Sequence, residues 1–331
     1  MIRKTALFLA LLGGLYFLSA FVFSTVGVGD QTLMKIAARN PVTPGGFGFT
    51  LQRFQDIQNY RDLDILFLGS SHCYRTFDTR IYAERGLETF NMGTTGQTPL
   101  NTYYLLKHYF AALNPKLVVF DLNYRVIDRD GLECFYDLSQ NLSYSPEMME
   151  MALAIGSPHA LNLAVSKWML HLSGLAPQFT QKPDEDERYI PGGYVEFTRS
   201  LAGEESRYEA RFVDQKPRKS PARTVVPREE QLQAIRDVIR LVKANGARII
   251  LATKPEPPQN LHAIANYEEI SRTFAEIARE EGVVYYDFNK IPLPLDPYAH
   301  FHDREYLNPA GVEIFNPVLI EMLYQEVKSG K

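Results

Sequence analysis

Short apolar runs alternate along this chain with longer amphipathic stretches, and each run closes on a turn signal. Ile65–Leu68 is four apolar residues ended by Gly69-Ser70-Ser71, which predicts a short buried strand. A second short strand is predicted at Thr89–Asn91, ending at Met92-Gly93-Thr94-Thr95-Gly96. Pro99 stands where a helix can begin, residues 100–113 carry aromatic and aliphatic side chains at helical spacing, and Asn114-Pro115 stops them. Residues 116–122 are almost continuously apolar, as a strand covered on both faces requires. The pair repeats as a helix over 228–244, a break at Asn245-Gly246 and a strand over 247–252. A further helix over 267–281 stops at Gly282 before a strand at 283–288, and Asn308-Pro309 caps a last helix. Such alternation predicts an α/β fold, a doubly wound parallel sheet in a three-layer sandwich.

The N-terminus changes the setting. Arg3-Lys4 is followed by an uncharged run over residues 5–26, with the next charge at Asp30. That run is long enough to cross a bilayer, which takes about 20 residues, and longer than the ~7–15 of a cleavable leader. The positive end stays inside. The expectation is a signal anchor over 1–29 with the lipid bilayer as partner, a membrane-proximal segment over 30–62, and an extracytoplasmic (periplasmic) α/β domain over 63–331. A cleaved leader gives the same destination. An insertion over about 126–227 separates the third strand from the fourth. Its first part, 145–172, reads as helical and could pack as a lid. Residues 189–197 suggest an aromatic hairpin, residues 182–188 a solvated charged loop, and residues 216–223 a basic linker.

A formal charge of −4 gives no electrostatic case for a nucleic-acid partner. No phosphate-cradling glycine motif occurs, and no cofactor or metal is expected. His300-x-His302-Asp303 lacks the spacing and companion ligands of a specific metal site. Cys73 and Cys134 both follow strand ends, so a disulfide and two free thiols remain open.

The candidate chemistry begins at Ser71. Ligands sit beyond the carboxyl ends of strands in an open parallel sheet, and a hydroxyl on a glycine-permitted turn there is well presented. Far away in sequence lies Asp303-Arg304-Glu305-Tyr306-Leu307-Asn308-Pro309-Ala310-Gly311. Together with Gly69-Ser70-Ser71, Asn91-Met92-Gly93 and Asp121-Leu122-Asn123, this run resembles the SGNH (GDSL-type) hydrolase superfamily, over residues 60–125 and 245–325. The resemblance implies Ser71 as nucleophile, the Gly93 N–H and the Asn123 amide as oxyanion donors, and Asp303 as the residue that orients a base. Asn91 is an alternative to Asn123.

One position departs from the pattern. Envelope-associated members carry Asp-x-x-His-Leu-Asn-x-x-Gly, and this chain has Tyr306 where the histidine should stand. A phenol with an ordinary pKa of about 10 is a poor general base at neutral pH. His302, and less readily His300, could turn from the same loop toward Ser71, whereas the His72 side chain is expected to diverge. The resemblance therefore implies an esterase or O-acyltransferase acting on an acylated cell-envelope polysaccharide, with an acyl donor and, for transfer, a membrane acyl-transfer partner. The competing expectation is a catalytically impaired glycan-binding or scaffolding protein of the same fold.

Overall fold

The computed structural model describes residues 2–28, 31–198, 222–303 and 305–328. Seven strands are numbered here: β1 (Ile65–Leu68), β2 (Thr89–Asn91), β3 (Leu117–Asp121), β4 (Glu187–Ile190), β5 (Tyr194–Phe197), β6 (Arg248–Thr253) and β7 (Val284–Asp287). The main helices are α1 (Ile2–Thr25), α2 (Thr50–Asp56), α3 (Ser71–Thr76), α4 (Pro99–Leu113), α5 (Leu132–Asn141), α6 (Pro146–Ile155), α7 (Pro158–Ser173), α8 (Glu229–Ala244), α9 (Tyr267–Glu280) and α10 (Pro309–Lys328).

Five of the strands form one parallel sheet in the order β2-β1-β3-β6-β7. Side chains alternate across it as the pleat demands. Leu66, Leu68, Val118, Phe120 and Leu251 face the layer that contains α4, α8 and α9. Ile65, Phe67, Val119 and Ile250 face the layer built by Val312, Phe315, Leu319 and Leu323 of α10. Burial on both faces is why β1 is fully apolar and fully enclosed. This is the doubly wound α/β class that the sequence pattern predicts; counted within the sheet its strands run 2-1-3-4-5, with a switch point between β1 and β3, where ligands sit in such sheets.

The helix ends follow local chemistry. Thr98 and Asn101 form a reciprocal capping box at the start of α4, and Asn308 Oδ1 accepts the Gly311 N–H at the start of α10. The insertion supplies α5, α6, α7 and the β4-β5 hairpin. The expected charged loop over 182–188 is a loop only in part, because Glu187 and Arg188 already belong to β4. Glu187 is drawn in by an ion pair with the buried Arg75 at 2.6 Å. The basic linker expected at 216–223 lies largely outside the described residues; Arg223 is described and pairs with Asp128.

Residues 31–62 do more than link. Buried Arg53 of α2 donates to the carbonyl oxygens of Gly193 (3.1 Å) and Gly48 (2.9 Å). Asp56 Oδ2 accepts the Gly192 N–H and the Tyr189 hydroxyl. These bonds clamp the hairpin over the carboxyl end of the sheet. Gly193 has positive φ, and a Cβ there would meet the Asn91 carbonyl oxygen at 2.2 Å, so the hairpin turn seats directly on the end of β2.

Candidate active site

Ser71 is the first residue of α3, immediately beyond β1. Gly69 takes φ +151°, and a Cβ there would press on Cys73 and Asp121, so the chain can turn this tightly only with glycine. Ser70 is the N-cap: its backbone is extended and its Oγ accepts the His72 N–H at 3.3 Å. The Ser71 hydroxyl is thereby left half-exposed at the switch point.

The last loop meets it there. Ser71 Oγ and Tyr306 Oη are 3.0 Å apart, a hydrogen bond across 235 residues of sequence. Asp303 builds that loop: its Oδ1 accepts the N–H groups of Glu305 (2.7 Å) and Tyr306 (2.9 Å). His302 does not take the serine. Its ring stacks on Phe197 at 3.7 Å between centroids, and Phe197 in turn lies 6.0 Å from the Tyr306 ring. His300 accepts the Asp296 N–H through Nδ1 and so serves its own loop. Arg75 lies over the rings of Tyr306 (4.8 Å) and Phe197 (4.5 Å).

Burial sets the electrostatics of this pair. Desolvation of the Tyr306 hydroxyl raises its pKa further above the ordinary tyrosine value, and Tyr74 adds to this. Arg75 and the Ser71 hydrogen bond pull the other way without cancelling it. At neutral pH the phenol is a neutral hydrogen-bonding group, not a proton acceptor of useful strength.

The two expected oxyanion donors are engaged elsewhere. The Gly93 N–H donates to Asn91 Oδ1 (3.1 Å), and Asn91 Nδ2 donates to the Cys73 carbonyl (2.8 Å). A Cβ at Gly93 would meet the Ser70 carbonyl oxygen at 2.8 Å, so glycine is needed for β2 to end against the serine turn. Asn123 lies beyond β3 and donates to Ser70 Oγ at 2.8 Å, while its Oδ1 accepts the Arg125 N–H. Both donors border the serine turn, and in each an N–H is already engaged. The cysteines are free and buried: Cys73 Sγ bonds Asn91 and Cys134 Sγ bonds Thr94.

A second group of side chains was not anticipated from sequence. His72, far from diverging, is 2 % exposed and sits between Glu256 (3.5 Å) and Glu305 (3.8 Å), with its ring edge-on to Tyr306. Lys254 is 3.6 Å from Glu256 and donates to the Glu305 carbonyl. Arg125 reaches Glu256 and Glu305, and the Tyr124 hydroxyl donates to Glu256 at 2.6 Å. Burial pushes the His72 imidazole down to about 4, helped by the Lys254 charge. The network holds the Tyr306 loop against the sheet through Glu305. Its legible signal was position: Tyr124-Arg125 and Lys254-Pro255-Glu256 directly follow the carboxyl ends of β3 and β6. Among the described residues, no cluster of metal-ligating side chains occurs.

Fold and site define an α/β protein with a serine at the switch point of a parallel sheet and a tyrosine from the last loop set against it. No protein-family model matches the chain, and no curated protein matches it. Solved structures similar to it include a GDSL-like lipase from Bacteroides thetaiotaomicron, with TM-score 0.43 and 11% identity over 85% of this chain and 100% of that one. An acetylxylan esterase from Geobacillus stearothermophilus gives 0.38 and 14% over 79% and 94%. A lipase/acylhydrolase from Enterococcus faecalis gives 0.33 and 13% over 80% and 97%.

At the N-terminus, α1 is 24 residues long, its most apolar 18-residue stretch has mean hydropathy 2.3 and it is mostly exposed; it is long and apolar enough to cross a membrane, and a signal sequence meets the same test.

Proposed function

We propose that the protein is a membrane-anchored, extracytoplasmic SGNH-like esterase or O-acyltransferase that handles acylated cell-envelope polysaccharide through Ser71. The observation that carries this reading is the 3.0 Å contact between Ser71 Oγ and Tyr306 Oη at the switch point of the sheet. In it Ser71 Oγ attacks the acyl carbonyl carbon, and the sugar hydroxyl leaves with a proton. The acyl-serine is then opened by water in hydrolysis or by an acceptor hydroxyl in transfer. Gly93 and Asn123 receive the developing oxyanion once they release Asn91 Oδ1 and Ser70 Oγ. Asp303 fixes the loop that brings Tyr306 to the serine.

The proton is the bottleneck. Only the phenolate of Tyr306 accepts it, and burial makes phenolate scarce at neutral pH. Turnover is therefore slow at pH 7 and climbs with pH.

That same scarcity favours a second reading, in which the site binds an acylated glycan without turning it over. Labelling with a serine-directed fluorophosphonate separates the two. Labelling that rises with pH and vanishes in Ser71→Ala supports the enzyme. Absence of labelling from neutral to alkaline pH, with retained affinity for acylated glycan, supports the binding protein.

A further inference from the structure

We propose that α7, with Leu153, Leu172 and Leu175 around it, forms a membrane-docking surface that lies in the extracytoplasmic leaflet beside α1. This rests on the reading of α1 as a membrane span.

Most of α1 is exposed, but Ala20 and Ser24 are buried on the side where α7 and the short helix Leu33–Ala37 pack on it. The Tyr16 hydroxyl donates to Asn162 Oδ1 at 2.9 Å, Ser24 Oγ donates to Ser166 Oγ at 2.6 Å, and Phe17 meets Trp168 edge-on at 5.9 Å. Serine pairs of this kind are common where helices pack in lipid.

These contacts fix a depth. A hydrocarbon core of ~30 Å takes about 20 helical residues, so a span starting at Thr5, just after Arg3-Lys4, leaves the core near Ser24. Tyr16 then lies about 12 Å below that boundary, at 1.5 Å per residue. Contacts from Tyr16 to Ser24 centre α7 within the outer leaflet, near the ~5–10 Å depth of an interfacial amphipathic helix.

The side chains suit that depth. The helix holds no acidic residue, and its Trp168 is half-exposed. Leu172 at its end, Leu175 after it and Leu153 on α6 are 66, 56 and 62 % exposed. Exposed Val26, Val28 and Ile36 belong to the segment that leaves α1 and packs on the same helix. Exposed apolar side chains on and beside a helix that packs on a membrane span are matched by lipid.

Trp168 is the only tryptophan in the chain, so its emission reports on α7 alone. The test reconstitutes the full-length protein into phosphatidylcholine–phosphatidylglycerol vesicles whose acyl chains carry bromine either near the headgroup or near the chain ends. The expected result is marked loss of the Trp168 emission with bromine in either position, because Phe17, which Trp168 meets, lies about 10 Å below the boundary. Protein that floats with the vesicles after an alkaline carbonate wash but shows no quenching overturns the docking surface while leaving the span intact. Protein released by the wash overturns both.

Discussion

Replacing Tyr306 with histidine tests the central physical claim, that the serine is correctly placed and its proton has nowhere to go. At pH 7.5 an ordinary phenol of pKa about 10 is ~0.3% phenolate, and the raised pKa of Tyr306 makes the fraction smaller still. An imidazole of pKa about 6.5 is ~90% free base at the same pH. A positioned general base contributes typically ~10²–10⁴-fold. The loop is suited to the exchange: Asp303 Oδ1 is spent on the N–H groups of residues 305 and 306, which leaves Oδ2 to accept an imidazole Nδ1–H. Imidazole is shorter than phenol, so the contact to Ser71 lengthens unless the loop settles inward. The lower end of the range is therefore expected, ~10²-fold at pH 7.5.

The assay is the second-order rate of fluorophosphonate labelling of Ser71, followed from pH 6 to 10, with Tyr306→Phe and Ser71→Ala as controls. The wild type should rise about tenfold per pH unit, because phenolate does so well below its pKa. Y306H should instead level off above about pH 7. Y306F should lose the alkaline rise, and S71A should not label. Equal slow rates for wild type, Y306H and Y306F across the whole range would refute the reasoning, since the proton would then not be what limits Ser71.

Three further outcomes follow from the packing around the site. Gly93→Ala forces a methyl to within 2.8 Å of the Ser70 carbonyl and 3.0 Å of Cys73 Cβ, so it should cost about 1–3 kcal/mol in denaturant unfolding and abolish labelling by displacing the serine turn. Asp121 is fully buried with Oδ2 unpartnered, and burial raises its pKa from 3.8 to about 7. Its protonated form is favoured in the folded state, so it lowers stability as pH rises from about 4 to 7, by an upper bound of about 4 kcal/mol. Asp121→Asn should accordingly raise Tm at pH 8 and have little effect at pH 4; an equal effect at both would sink this account. Maleimide should modify neither Cys73 nor Cys134 in the native protein and both after denaturation, read by intact mass.

The layers of the fold were legible because each element carries its own local signal. β1 is an uninterrupted apolar run, and a strand buried on both faces leaves no polar position to confuse the pattern. Thr98 with Asn101, and Asn308 with Gly311, close their helices within four residues, so sequence proximity alone exposes them. The role of residues 31–62 was not legible. Arg53 and Asp56 act on Gly192, Gly193 and Tyr189, about 140 residues away, and nothing near an arginine in sequence says that it will be buried under a hairpin.

The same distinction divides the site. Ser71 and Tyr306 could be set opposite each other in advance because each sits at a fixed offset from an element with a clear signature, β1 for one and the Asn308 cap for the other. What decides their chemistry was not legible. The phenol keeps its proton because the hairpin brings Phe197 over the loop and the sheet closes beneath it, and desolvation is a property of the assembled neighbourhood. The network of His72, Arg125, Lys254, Glu256 and Glu305 draws one or two residues from each of four separate strand ends and loops, and no pair of them has a spacing that announces the others. His72 illustrates the physics: following a serine on a helix, its side chain was expected to swing clear of the site. Instead the two glutamates from distant loops make a buried imidazole tolerable, and the ring becomes a wall against which Tyr306 stands. A motif thus fixes where a reactive group is held, while the burial and charge that set its reactivity come from segments the motif never mentions.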